Sequence, residues 1–175
     1  MNAELTKALK ELFQNTLERH WEQASNGDYG ALEMYEYALP PRRSDGLKLP
    51  SLVFIPVKSK DKEEEQTITV EIGVCVAMKM PAPKADREET EKQIATYLVE
   101  GNIAVVNMMS VMQDTVANTT LLGRKFRYDG GQEWTLCDNN SQPSPYFYGF
   151  GRIEYKKRII KKISDTEVKA YGSKV

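Results

Sequence analysis

Three residues carry side chains that a metal-assisted hydrolysis would use: Asp138, Glu154 and Lys156. Two carboxylates can hold Mg²⁺, and a lysine beside them can steady an attacking hydroxide. Glu154-Tyr155-Lys156 falls on a predicted strand, but Glu-x-Lys arises easily in a chain that is 28% charged. Asp138 opens Asp138-Asn139-Asn140-Ser141, a run better suited to a turn. The single histidine, His20, adjoins Arg19 and Trp21, with no second imidazole, cysteine or placed acid to make it a catalyst or ligand. Cys75 and Cys137 lack ligand spacing and read as reduced thiols inside strands. There is no phosphate-binding glycine loop, GxSxG, HExxH or CxxC, and no internal repeat. On residue types alone, no catalytic, metal or cofactor set is assigned, and the chain is not read as an enzyme.

The elements that would position these residues lie between Leu121 and Arg158. Phe126 and Tyr128 alternate with charge on one side of Asp129-Gly130-Gly131, as do Trp134 and Leu136 on the other. Alternation about Asp-Gly-Gly predicts a β-hairpin, since glycine tolerates the positive φ of a tight turn. A polar loop follows, in which Pro143 and Pro145 bar helix. Tyr146 to Ile160 then reads as one long strand. Gly149 and Gly151 share one face of it, where a bulge or a close backbone approach is expected.

This order resembles the C-terminal half of the phage tail terminator (tail completion) proteins of long-tailed phages. The residues carrying the likeness are Lys125-Phe126-Arg127, Glu133-Trp134-Thr135-Leu136, Pro143, Pro145-Tyr146-Phe147-Tyr148-Gly149 and Arg152-Ile153-Glu154-Tyr155. Thr67 to Val76, followed by a long helix, keeps the same order, and the likeness spans roughly residues 50 to 160. The resemblance implies a structural protein that assembles as a ring, usually a hexamer, on the tail tube protein. Such a ring ends tube growth and offers a docking surface to the head-tail connector. The expected place is the virion tail, assembled in the host cytoplasm. Candidate contact residues for subunits or tube are Arg42 and Arg43 in a proline-bounded loop, Glu63, Glu64 and Glu65 at a hairpin tip, and Tyr146, Phe147 and Tyr148. The alternatives are a different neck adaptor protein, or a metal-dependent nuclease whose core Asp138, Glu154 and Lys156 resemble.

Elsewhere, Ala3 to Ala24 reads as a helix, with Leu5, Leu9, Leu12, Phe13, Leu17 and Trp21 on one stripe. Tyr29 to Tyr37 is read as a short helix or an extended arm. Leu52 to Val57 and Thr67 to Ala77 read as strands joined by a charged connector, Lys58 to Gln66. A helix begins near Asp86, with acids in its first turn where the dipole favours them. Its stripe of Ile94, Leu98, Val105, Met109, Met112 and Val116 runs to Asn118. That is on the order of 50 Å, against about 40 Å across a compact domain of this length. A break near Gly101-Asn102 is therefore expected.

The expected fold is α+β. A largely antiparallel sheet of four to five strands is packed by the N-terminal helix and the broken central helix, in one domain over 1–162 with a polar tail over 163–175. Net charge is −1 over 175 residues, so any basic patch is local. One such patch holds Lys156, Lys157, Arg158, Lys161 and Lys162. It is read either as protection of a free strand edge or as lining for a channel carrying DNA, where phosphate attraction needs no base readout. No apolar run is read as approaching the ~20 residues of a membrane helix, and no membrane partner is expected.

Overall fold

In the computed structural model, the residues described are 3–25, 32–37, 51–62, 64–78, 80–138 and 146–159, with backbone alone for 18–25. The elements in chain order are α1 (Ala3–Ser25), β1 (Glu33–Glu36), β2 (Ser51–Lys62), β3 (Glu65–Ala77), α2 (Arg87–Asn118), β4 (Leu121–Leu122), β5 (Phe126–Leu136) and β6 (Tyr146–Arg158). The fold is α+β, with one sheet ordered β1-β2-β3-β6-β5-β4. All neighbours are antiparallel except β1 and β2. The sheet has six strands, two more than the low end of the sequence-based range, because Glu33–Glu36 and Leu121–Leu122 add short outer strands. Four and two residues are too few to show a period, so neither is visible as a pattern.

Both helices lie on one face of the sheet. Leu5, Leu9, Phe13 and Leu17 of α1 join Phe54, Ile72, Val74, Ile153 and Tyr155 of the strands in one buried cluster with Val105, Met108, Met112 and Val116 of α2. Phe13 stacks on Phe54 at 6.0 Å between centroids. Leu5, Leu9, Phe13 and Leu17 of the α1 stripe are therefore core, as its spacing implies, with Leu12 partly buried beside them; the side chain of Trp21 lies outside the described residues. Asp86 caps α2, its carboxylate accepting from the Glu88 amide at 2.8 Å.

α2 does not break at Gly101. It runs as one helix for 32 residues. Two facts remove the reason for a break. The sheet beneath is long, since β3 and β6 each have 13 residues, or about 43 Å at strand rise, so a straight helix finds support along most of its length. Gly101 also faces the sheet and is a seat for Phe147, whose ring occupies the space a Cβ would need. The strand returns the arrangement at Gly149, where a Cβ would lie 2.6 Å from Met109 Sδ and 2.9 Å from Val105 Cγ1. The expected close approach at Gly149 is thus present, and Gly151 makes another, under the Trp134 indole.

The expected hairpin at Asp129-Gly130-Gly131 is absent. Both of its arms belong to β5, and both pair with β6, Tyr128 opposite Tyr155 and Gln132 opposite Ile153. Asp129, Gly130 and Gly131 thus stand opposite Glu154 alone, as a bulge of two extra residues with Gly130 at φ +84°. Two is even, so Phe126, Tyr128, Gln132, Trp134 and Leu136 keep the same face on either side. Locally such a bulge carries the same signature as a turn.

By length and composition α2 could cross a membrane. Its buried side is already held by the sheet, and the surplus apolar residues lie on the opposite side, among them Val99 and Ile103.

Candidate interaction surface

The sheet face away from the helices presents two zones along β6. Alternation sends Tyr146, Tyr148 and Phe150 to this side, and then Arg152, Glu154, Lys156 and Arg158. The first three form an aromatic zone. The Tyr146 and Tyr148 rings lie 6.3 Å apart, and Phe150 is 49% exposed. Phe150 was not among the sequence candidates, although the spacing of two from Tyr148 marks it. Phe147, which was, points the other way. It is buried against Gly101 and meets Tyr97 edge-on at 5.3 Å, so it belongs to the core and not to an interface.

The second zone is a ladder of cross-strand charge pairs. Arg152 donates to Glu71 at 2.6 Å, and this bond, with the nearby carboxylates of Glu133 and Glu154, holds its guanidinium above the ordinary arginine value. Lys156 pairs with Asp129 at 2.8 Å, Arg127 with Glu65 at 3.2 Å and Arg158 with Glu64 at 3.8 Å. The Ile159 amide donates to the Glu64 carbonyl at 2.6 Å. On the helix side, Lys157 lies 3.7 Å from Glu4 and 5.5 Å from the Phe126 ring centroid.

The acidic tip and the basic strand end meet at one pair, Glu64 with Arg158, while Glu65 is held by Arg127 of β5. Lys58 to Gln66 is mostly not a connector, because β2 and β3 continue through it to a tight return between Lys62 and Glu65. Glu64 and Glu65 at that return are held against β6 and β5 instead of projecting alone. For the described part of the basic run the edge-protection reading fails. β6 lies between β3 and β5 in the interior of the sheet, so Lys156, Lys157 and Arg158 guard no edge. Arg42, Arg43, Glu63, Lys161, Lys162 and the 163–175 tail lie outside the described residues.

The hydrolytic set is not assembled. Cys137 donates its amide to the Tyr148 carbonyl, which sets Asp138 at the Tyr146 end of β6. Glu154 is six residues beyond Tyr148 on that strand, on the order of 20 Å away. Glu154 accepts from Thr69 Oγ1 at 3.3 Å, and Lys156 is held by Asp129. Among the described residues no three His, Cys, Asp or Glu gather as metal ligands. Cys75 is buried, and burial pushes the half-buried Cys137 thiol up; neither is in a disulfide.

The flanks of the sheet complete the surface. Among the described residues β1 covers β2 only over Ser51 to Phe54, leaving Ile55 to Lys62 open, with Pro56 where an outer strand tolerates it. On the other flank, among the described residues, β4 pairs with β5 at Phe126 and Arg127 and the Tyr128 amide donates to the Thr120 carbonyl, leaving the run from Asp129 to Leu136 open.

No protein-family model matches the sequence, and no curated protein matches it. Among the solved structures that match, one is similar over 87% of this chain and 98% of its own, at 10% identity and a TM-score of 0.32, too low to carry an argument about fold or function.

Proposed function

We propose that this chain is a structural protein that assembles head to tail into a ring, of the tail terminator kind. In that role it caps the head-proximal end of a phage tail tube, stops its growth and offers the head-tail connector a docking surface. The observation that carries the reading is that, among the described residues, both flanks of one sheet are open, β2 from Ile55 onward and β5 from Asp129 onward. Unpaired main chain on opposite flanks suits association of unlike patches, which closes when the rotation between copies allows. Lys58, Lys60 and Lys62 on one flank and Glu133 on the other give opposite charge, which sets register more than affinity. Tyr146, Tyr148 and Phe150 supply aromatic area of the type enriched at interfaces.

The test is assembly. The purified chain, alone or mixed with tail tube protein, is expected to form closed rings in light scattering and negative-stain images. Particles lacking it are expected to carry tubes of irregular length that fail to join heads. A strict monomer in both mixtures, or normal tubes without it, removes the reading.

A further inference from the structure

The helix face opposite the core is built unlike a solvent face. On α2, the residues directed away from the sheet include Lys92, Thr96, Val99, Ile103, Ser110 and Asp114, at helical spacing opposite the buried Val105 and Met112. Val99 is 57% exposed, Ile103 50% and, beside them, Val106 44%. The outer side of a long helix normally carries charge. Here Glu100 is the only charged residue between Lys92 and Asp114. The arrangement is also symmetric about Ile103. Lys92 stands eleven residues before it and Asp114 eleven after, about three turns each way and on nearly the same side.

We infer that α2 is the seat of a two-fold contact between two copies of this chain, crossing antiparallel at Ile103. That crossing buries Val99, Ile103 and Val106 of both copies and sets each Lys92 against the other copy's Asp114, twice by symmetry. A parallel crossing would set Asp114 against Asp114 and Glu100 against Glu100, with the helix dipoles aligned unfavourably. Within one chain Lys92 pairs with Glu88 at 2.7 Å, but that pair is three-quarters exposed and its exchange costs little. Asp114 has no ion-pair partner among the described residues. This contact joins like patches, whereas the proposed ring joins unlike ones on the sheet flanks, so neither requires the other.

The experiment uses the full chain in sedimentation across a wide concentration range. Wild type is expected to double its unit mass, whether that unit is a protomer or a ring. Ile103→Glu should weaken the doubling by roughly tenfold or more, by loss of apolar burial, and Lys92→Glu or Asp114→Lys by several-fold each. The double reversal, Lys92→Glu with Asp114→Lys, should restore it. Unchanged far-ultraviolet dichroism and melting show that the variants fold. Ile103→Cys on a Cys137→Ser background should oxidise to a 103–103 disulfide between copies. Doubling indifferent to Ile103→Glu, a double reversal that fails to restore, or a chain that stays single and binds phosphatidylcholine vesicles through this face overturns the inference. Rings without Ile103-dependent doubling refute this contact alone, and doubling without rings refutes the ring alone.

Discussion

Phe147 of β6 fills the space that a side chain at position 101 of α2 would occupy. The helix reaches the sheet at that height because one residue has no Cβ, and the ring is the knob that uses the gap.

Gly101→Ala therefore tests the packing directly. Helix propensity favours alanine by about 1 kcal/mol, whereas overpacking a rigid ring costs typically ~1–3 kcal/mol. Three ring carbons stand in the way, so a net loss of up to about 2 kcal/mol in urea unfolding is expected. Adding Phe147→Leu should recover part of it, and a double-mutant cycle without coupling would show that the two do not share the space.

Tyr155 is fully buried, its ring 6.1 Å from that of Tyr128, and its hydroxyl has no hydrogen-bond partner. Burial, with a smaller contribution from Tyr128, pushes its phenol far above the ordinary value of 10.0. The folded phenol thus stays neutral where the unfolded one has ionised. Stability is complete below the unfolded value and falls as pH climbs past it. Tyr155→Phe is expected to be neutral, or stabilising by up to about 1 kcal/mol, at pH 7. Above pH ~10 its advantage should widen by about 1.4 kcal/mol per unit. Parallel melting curves for the two proteins from pH 7 to 11 would contradict this.

Glu4 ties the start of α1 to the sheet through Lys125 at 2.9 Å and Lys157 at 3.7 Å. The Lys125 hydrogen bond and charge hold its carboxyl below the usual 4.5. A carboxyl depressed in the folded chain stabilises above its unfolded value and loses that contribution as pH falls through the folded one. Glu4→Gln should lower the melting temperature by only about 1–2 °C near neutrality, the pair being exposed. By pH 3 the difference should have shrunk. A constant offset across that range would exclude the linkage.

The bulge in β5 makes a parity prediction. Removing both Gly130 and Gly131 leaves Trp134 and Leu136 on the core side, since two residues leave register parity unchanged. Removing Gly130 alone would send them outward unless the strand slips. The double deletion is expected to cost roughly 1–2 kcal/mol and the single one several times more; equal melting temperatures would mean that Trp134 does not depend on this register.

The sequence was readable where a period ran long enough over a buried face. α1, the start of α2 at Asp86, β3 and β6 all follow that rule, and so does the glycine pair under Val105 and Trp134. It was misleading where one local signal serves two tertiary outcomes. Asp-Gly-Gly makes a turn or a bulge depending on whether a partner strand holds both arms, and Gly101 breaks a helix or seats a ring depending on what faces it. The charged residues were the least legible. Glu64 and Glu65 lie far in sequence from Arg158 and Arg127, and only the β3–β6–β5 order brings them together. Phe150 and the outer side of α2 were open to the same alternation and helical-wheel reasoning, applied to the faces not needed for the core.

One strand, β3, spans two environments. From Ile68 to Val76 it lies over the core, whereas Glu65 and its β2 partner Lys62 are exposed, and Glu65 and the neighbouring Glu64 are steadied by exposed ion pairs. Amide hydrogen exchange should therefore rise steeply along a single ladder, slow at Val70 and fast at Glu65. Added salt should release the fast end while leaving the slow end unchanged, so that the distal end of the hairpin opens reversibly without global unfolding.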